Sequence, residues 1–177
     1  WYVIISLLAF TGLRAGEACG LTWKDIDYAN GQIHINRHVT FSRTEGLTIE
    51  DGTKNGKTRI VPISPELAEL LSEYRIHQSR TDYDKIIRFS NWVFPQADGK
   101  TPMSPQSVTR YFSKFSKKHK LEDLGLHPHL LRHTFASLSI QAGADIASLS
   151  RNLGHQDIST TMNMYVHPSL QIGRAHV

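Results

Sequence analysis

At 177 residues, with 40% hydrophobic and 20% charged side chains, the chain has the make-up of one globular domain with its own core, and disorder is excluded. Twenty Lys and Arg stand against sixteen Asp and Glu, with ten His in reserve, a mildly basic balance that suits a polyanionic partner and plain surface solvation equally. The single Cys19 excludes an internal disulfide and a cysteine metal cluster; it fits a reducing cytoplasm and, most simply, a small core position.

The opening WYVIISLLAF runs ten apolar residues before TGLR, too short to span a bilayer, and reads as a buried helix over residues 1–12. The lack of an initiator Met is expected of a chain that begins inside a longer protein. A second helix is expected over 15–22, then a turn at Asp25 and Asp27. GQIHINRHVTFS alternates, with Ile33, Ile35, Val39 and Phe41 on one side, and TRIVPIS follows a KNGK turn; two or three strands should form a small antiparallel sheet with a hairpin at the lysines.

From Ser64 the pattern is helical. SPELAELLSEYR carries Ser as cap, Pro in the first turn and Leu at helical spacing. SPQSVTRYFSKFSKKHK begins the same way and is amphipathic: Val108, Tyr111, Phe112 and Phe115 share one side, while Arg110, Lys114, Lys117 and Lys118 share another. That basic stripe suits a phosphate backbone, or a solvated face. Three more helices are expected, over 128–142, 145–153 and 157–166. Residues 172–177, IGRAHV, match a common sequencing-adapter read-through on back-translation and are expected to be non-native.

HPHLLRHTF, residues 127–135, packs three histidines and an arginine together. His129 and His133 are four apart and share a helical face, as a zinc site of the His-Glu-x-x-His kind requires. The glutamate is replaced by Leu130, and Arg132 on nearly the same face puts a permanent positive charge beside any cation. An anion is the better guest, because His129 and Arg132 can both donate to one phosphate. Other segments carry matching chemistry. TGLRAGE places Arg14 at a helix start after a glycine turn, TKNGKTRIVP supplies Lys54, and LGHQDISTTMNMY gives His155 after a glycine helix end, with Tyr165 ten residues later.

These segments resemble the catalytic domain of the tyrosine recombinases, the phage integrase family. TGLRAGE resembles the family's first-arginine motif, HPHLLRHTFAS its His-x-x-Arg motif, LGHQDISTT its Leu-Gly-His motif and MYVH its nucleophile motif. They stand in the family's order over nearly all of residues 1–171, with the lysine between the first two.

The resemblance implies a mainly α fold with a small antiparallel sheet and a reaction in which Tyr165 attacks a DNA phosphodiester, leaving a 3′-phosphotyrosyl link. Arg14 and Arg132 would stabilise charge on the non-bridging oxygens, and His129 would serve as base or proton relay. Lys54 would protonate the leaving 5′-oxygen, chosen over Lys57 by its eight-residue distance from Pro62. His155 would hydrogen-bond a non-bridging oxygen. Glu17 would buttress the site, or be an ordinary first-turn acid. His127 is expected near a helix start, and His133 is expected to pack or hydrogen-bond beside the site; neither receives a catalytic role.

No metal or organic cofactor is implied. The implied partners are double-stranded DNA and further protomers, in a tetramer on paired sites, and residues 1–171 are expected to be the catalytic domain without the family's N-terminal core-binding domain. The spacing of His155 and Tyr165 resembles integrases of conjugative elements and phages. A DNA-binding regulator that has lost catalysis and a type IB topoisomerase are the rival readings.

Overall fold

The computed structural model describes residues 1–52, 58–84, 90–155 and 157–162, with the side chains of 80–84 excepted. The apolar opening forms α1 (Tyr2–Thr11). Gly12 ends it in the left-handed region, φ 64°, with its N–H on Leu8 O. A Cβ there would also lie 2.5 Å from Phe135 Cδ1 and 2.7 Å from Leu153 Cδ2, so glycine permits both the turn and the close approach of two later helices.

Helix α2 (Ala15–Cys19) stops short of the expected Thr22. Thr22 instead caps a 3-10 turn, Trp23–Asp25, where Asp25 Oδ2 accepts from the Thr22 N–H at 2.8 Å and its hydroxyl at 2.6 Å. The local capping chemistry overrides continued helix. Cys19 is buried, and burial pushes its thiol up to about 12, which makes it an inert core residue as its isolation in the sequence suggested.

The β-rich stretch gives two small antiparallel sheets rather than one. β1 (Ile26–Asp27), β2 (Gln32–Ile35) and β5 (Arg59–Pro62) pair in the order β1-β2-β5, and β3 (Arg37–Ser42) pairs with β4 (Gly46–Asp51). The alternating run breaks at Asn36, whose amide donates to Asp25 Oδ1 at 2.9 Å and whose carbonyl accepts from Gly52 at 2.7 Å. Ile33, Ile35 and Val39 are buried as expected, but Phe41, near the hairpin end, is exposed.

The hairpin expected at the lysines is corrected by the register. β4 and β5 flank them, yet each pairs elsewhere: Asp51 faces Arg37, and Arg59 faces Ile35. Lys54 and Lys57 themselves lie outside the described residues.

Helix α3 (Pro65–Asp84) starts where Ser64 Oγ accepts from the Leu67 N–H and runs well past the quoted SPELAELLSEYR. Helix α4 (Pro105–His119) is capped by Ser104. Its buried line is Val108, Phe112 and Ser116, spaced by four; Phe115, expected inside, is exposed. Phe115 instead belongs to a flanking aromatic row, 6.1 Å from Tyr111 and 4.4 Å from His119, with Trp1 stacked on Tyr111 at 4.3 Å.

Helix α5 (Pro128–Gln141) has His127 at its N-cap, and α6 (Ile146–Leu153) is capped by Asp145 and closed by Gly154 at φ 70°. Residues 158–162 are helical again; the rest of the helix expected to 166 lies outside the described residues. The main core joins α1, α2, the strands, α3 and α4, and a second cluster of Ala136, Leu149 and Leu153 joins α5 to α6. No helix among the described residues is long and apolar enough to cross a membrane.

Candidate active site

Three chain turns meet where the two apolar clusters join: the α1–α2 corner, the start of β5 and the end of α6. Arg132, on α5, ties the first of them to the last. It is 1% exposed, and its Nη1 and Nη2 each donate at 2.7 Å, to Gly12 O and Leu153 O. These carbonyls lie at the C-terminal ends of α1 and α6, where helix dipoles concentrate negative potential. A buried guanidinium there is compensated by two helix ends. Burial, with the field of Arg14, brings its pKa down to about 9, so it stays charged at neutral pH.

Arg14 occupies the N-cap of α2 and is part-exposed, at 25% of its side chain. Glu17, one turn on, is 1% exposed. Its Oε2 accepts from the Arg14 backbone N–H at 2.9 Å and its Oε1 from Arg14 Nη1 at 3.2 Å. Its principal partner comes from far away: Arg59 donates from Nη1 to Oε1 at 2.8 Å and from Nη2 to Oε2 at 2.7 Å, a bidentate pair. Arg59 Nε then donates to Asn152 O at 2.7 Å. Burial works to raise the Glu17 carboxyl, but the Arg59 hydrogen bonds and charge and the Arg14 contacts outweigh it and hold the group below its ordinary 4.5.

Glu17, expected either to buttress the site or to be an ordinary first-turn acid, makes contacts beyond its own helix turn, with Arg59 of β5. Arg59 was missed. A signal existed: in TRIVPIS, Arg59 alternates in phase with Val61 and Ile63, so a strand with Val61 buried must turn Arg59 inward, where it needs an acid.

His155 follows Gly154 at the end of α6 and is half-buried. Burial, then Arg132, Arg14, Arg59 and His133 in turn, pushes its imidazole down to about 4. It is therefore neutral at physiological pH, and its Nδ1 lies 2.8 Å from Thr161 Oγ1. His129 stands at the mouth of a cleft of about 340 Å³, lined also by Arg14, Gln106 and Thr109. Burial, then Arg132, His133 and Arg14, lowers its pKa from the ordinary imidazole value.

His127 stands at the N-cap of α5, near a helix start as expected, and its Nδ1 is 2.6 Å from Gly125 O. His133, expected to pack or hydrogen-bond beside the site, is exposed, with its ring 6.4 Å from that of His129. Among the described residues no group of three or more His, Cys, Asp and Glu is placed to hold a metal ion.

The first turns of α4 line the same cleft, and Arg110 Nη2 donates to Gln106 Oε1 at 3.2 Å. Lys114, Lys117 and Lys118 continue from there, all exposed. The arrangement gathers fixed guanidinium charge around half-buried imidazoles whose pKa values are lowered, His155 most of all. Tyr165, like Lys54, lies outside the described residues.

Comparison with known proteins agrees with this architecture. The family model described as Phage integrase family matches residues 2–171. The tyrosine recombinase XerA of Saccharolobus solfataricus is 33% identical over 165 residues, which cover 93% of this chain and 45% of that protein. The ICEBs1 integrase of Bacillus subtilis is 31% identical over 159 residues, 89% of this chain and 42% of the relative. The chain thus spans less than half the length of these two relatives. The Tn1549 transposon integrase, solved in complex with circular intermediate DNA, superposes with a TM-score of 0.75 at 26% identity, covering 98% of this chain and 59% of that one.

Proposed function

Because the chain belongs to the phage integrase family, we propose that it is the catalytic part of a site-specific DNA recombinase that cuts and rejoins strands through a 3′-phosphotyrosyl intermediate. The observation that carries this reading is the approach of Arg14, Arg132 and His155, from three distant segments, close enough for both arginines to lower the His155 pKa, beside the buried Glu17–Arg59 ion pair. Such a site gathers fixed positive charge where a phosphorane-like transition state develops negative charge on its non-bridging oxygens.

Each side chain has a role suited to its surroundings. Arg14 is exposed enough to reach a phosphate directly, and Arg132 supplies a fixed charge behind it. His155, being neutral, donates a hydrogen bond without adding to the local repulsion among cations. His129 takes the proton of the Tyr165 hydroxyl as that oxygen bonds to phosphorus. Lys54, rather than Lys57, gives a proton to the departing 5′-oxygen. Rejoining is the reverse, with a 5′-hydroxyl attacking the phosphotyrosyl bond, so no external energy source is consumed. Glu17 and Arg59 keep Arg14 in place, while Arg110, Lys114, Lys117 and Lys118 lie along the DNA backbone.

The complete enzyme works in the cytoplasm on double-stranded DNA, as a tetramer on paired sites, in the service of a mobile element. The names of the ICEBs1 and Tn1549 relatives support that last assignment. The test is Tyr165→Phe, which removes one oxygen and little packing surface. On a nicked DNA substrate that traps the intermediate, the unmutated protein forms a covalent adduct, and the variant binds DNA but forms none. An undiminished adduct in the variant overturns the assignment.

A further inference from the structure

We propose that Thr161 is a positioning residue that fixes the tautomer of His155: its hydroxyl donates to Nδ1, so that Nε2 carries the ring proton and presents it to the phosphate. The inference rests on the recombinase reading for its consequence, but its geometry stands on the fold alone.

Thr161 is fully buried, at 0% exposure, on the helical stretch 158–162. Its Oγ1 is 2.8 Å from His155 Nδ1. Two other helical threonines, Thr11 and Thr109, give their hydroxyl proton to the carbonyl four residues back. Thr161 has no such bond among the described residues. A buried hydroxyl proton needs an acceptor, and among the described residues the imidazole nitrogen is the one bonded to it. Once Nδ1 accepts, a neutral ring must carry its proton on Nε2.

Both conditions hold together. Arg132, Arg14 and Arg59 act against protonation of the ring, so it has one proton to place. Left to itself, a neutral imidazole exchanges that proton between two nitrogens, and in one of the two forms a lone pair at Nε2 would face an anionic oxygen. The threonine removes that unproductive form. It does so from a position six residues along the chain, within the same LGHQDISTT segment, so the donor and its orienting partner fold as one local unit.

The test compares Thr161→Val, which is isosteric but lacks the hydroxyl, with Thr161→Ser, which restores it. Nitrogen-15 NMR of the labelled full chain, with the His155 signals assigned by their loss in His155→Gln, reads the tautomer directly. In the unmutated protein Nδ1 should show the shift of an unprotonated nitrogen and Nε2 that of a protonated one. The valine variant should lose that pattern and the serine variant should keep it. Single-turnover cleavage should fall about tenfold or more in the valine variant, the loss expected when a hydrogen bond to a charged group is broken, and return with serine.

A protonated Nδ1 in the unmutated protein overturns the proposal, and so does an unchanged ring pattern in the valine variant. If the spectra behave as stated while the unmutated protein forms no DNA adduct, the recombinase reading fails and the tautomer assignment holds.

Discussion

Arg132 shows why an arginine in a nearly water-free place is tolerated and what replacing it should do. Its planar fork reaches the carbonyls of Gly12 and Leu153 at once, so one side chain ties the ends of two helices. A lysine ammonium is a point charge on a flexible stem and cannot keep both bonds in that geometry. Arg132→Lys should reduce single-turnover cleavage by on the order of 100-fold although charge is preserved. Near-normal cleavage would show that only background field is required.

Glu17 gives a second prediction at this scale. With side chains 1% and 9% exposed, Glu17 and Arg59 form a buried ion pair, and removing one charge leaves the other uncompensated. Glu17→Gln should lower unfolding stability by about 3–5 kcal/mol in urea titration. The sign with pH follows from the depressed carboxyl. Its folded pKa lies below 4.5, so the contribution is full above that value and is lost as pH falls through the folded pKa. The unmutated protein should therefore lose stability in acid more steeply than Glu17→Gln, and parallel acid limbs would contradict the assignment. The Glu17 role was half legible in TGLRAGE, where position three of the helix was plain. Its main partner was not, because forty-two residues separate Arg59 from it and only the strand's inward phase hinted at the pair.

Among the elements, helices with caps were the most legible. SPEL, SPQS and the glycine after α6 each carry their boundary in the local chemistry of a hydroxyl, a proline or a left-handed residue. β4 was not foreseen, because GLTIED lacks an alternating burial pattern and is ordered by its pairing with β3. The split of the sheet at Asn36 likewise depends on Asp25, eleven residues earlier. Phe115 shares the apolar side with Tyr111 as the spacing suggested, but it lies at that side's edge and stays exposed, because the packed line is the one spaced by four.

The basic face of α4 is where this scale meets function. Lys114 and Lys118 are exposed, so Lys114→Ala/Lys118→Ala should leave the fold intact. If they neutralise phosphates, the double variant should weaken DNA binding across sequences and reduce the slope of log affinity against log salt by about two. An unchanged slope would make the stripe a solvated surface.

At the scale of the whole molecule, the chain brings three of its four short motifs, more than a hundred residues apart at the extremes, to the junction of two apolar clusters, while the fourth, MYVH, lies outside the described residues. The order of those motifs was readable in the sequence because each carries its own turn or helix end. The cross-links that hold them, Arg59 to Glu17 and Arg132 to Gly12 and Leu153, depend on tertiary packing and could not be read locally. The central claim is that this junction positions a phosphate for attack by Tyr165. The most direct measurement is mass-spectrometric mapping of the adduct trapped on a nicked DNA substrate by the unmutated protein, after digestion of both components. The account predicts one modified peptide, with a 3′-phosphoryl nucleotide on Tyr165. A nucleotide attached to any other residue, or through a 5′-phosphate, would contradict it.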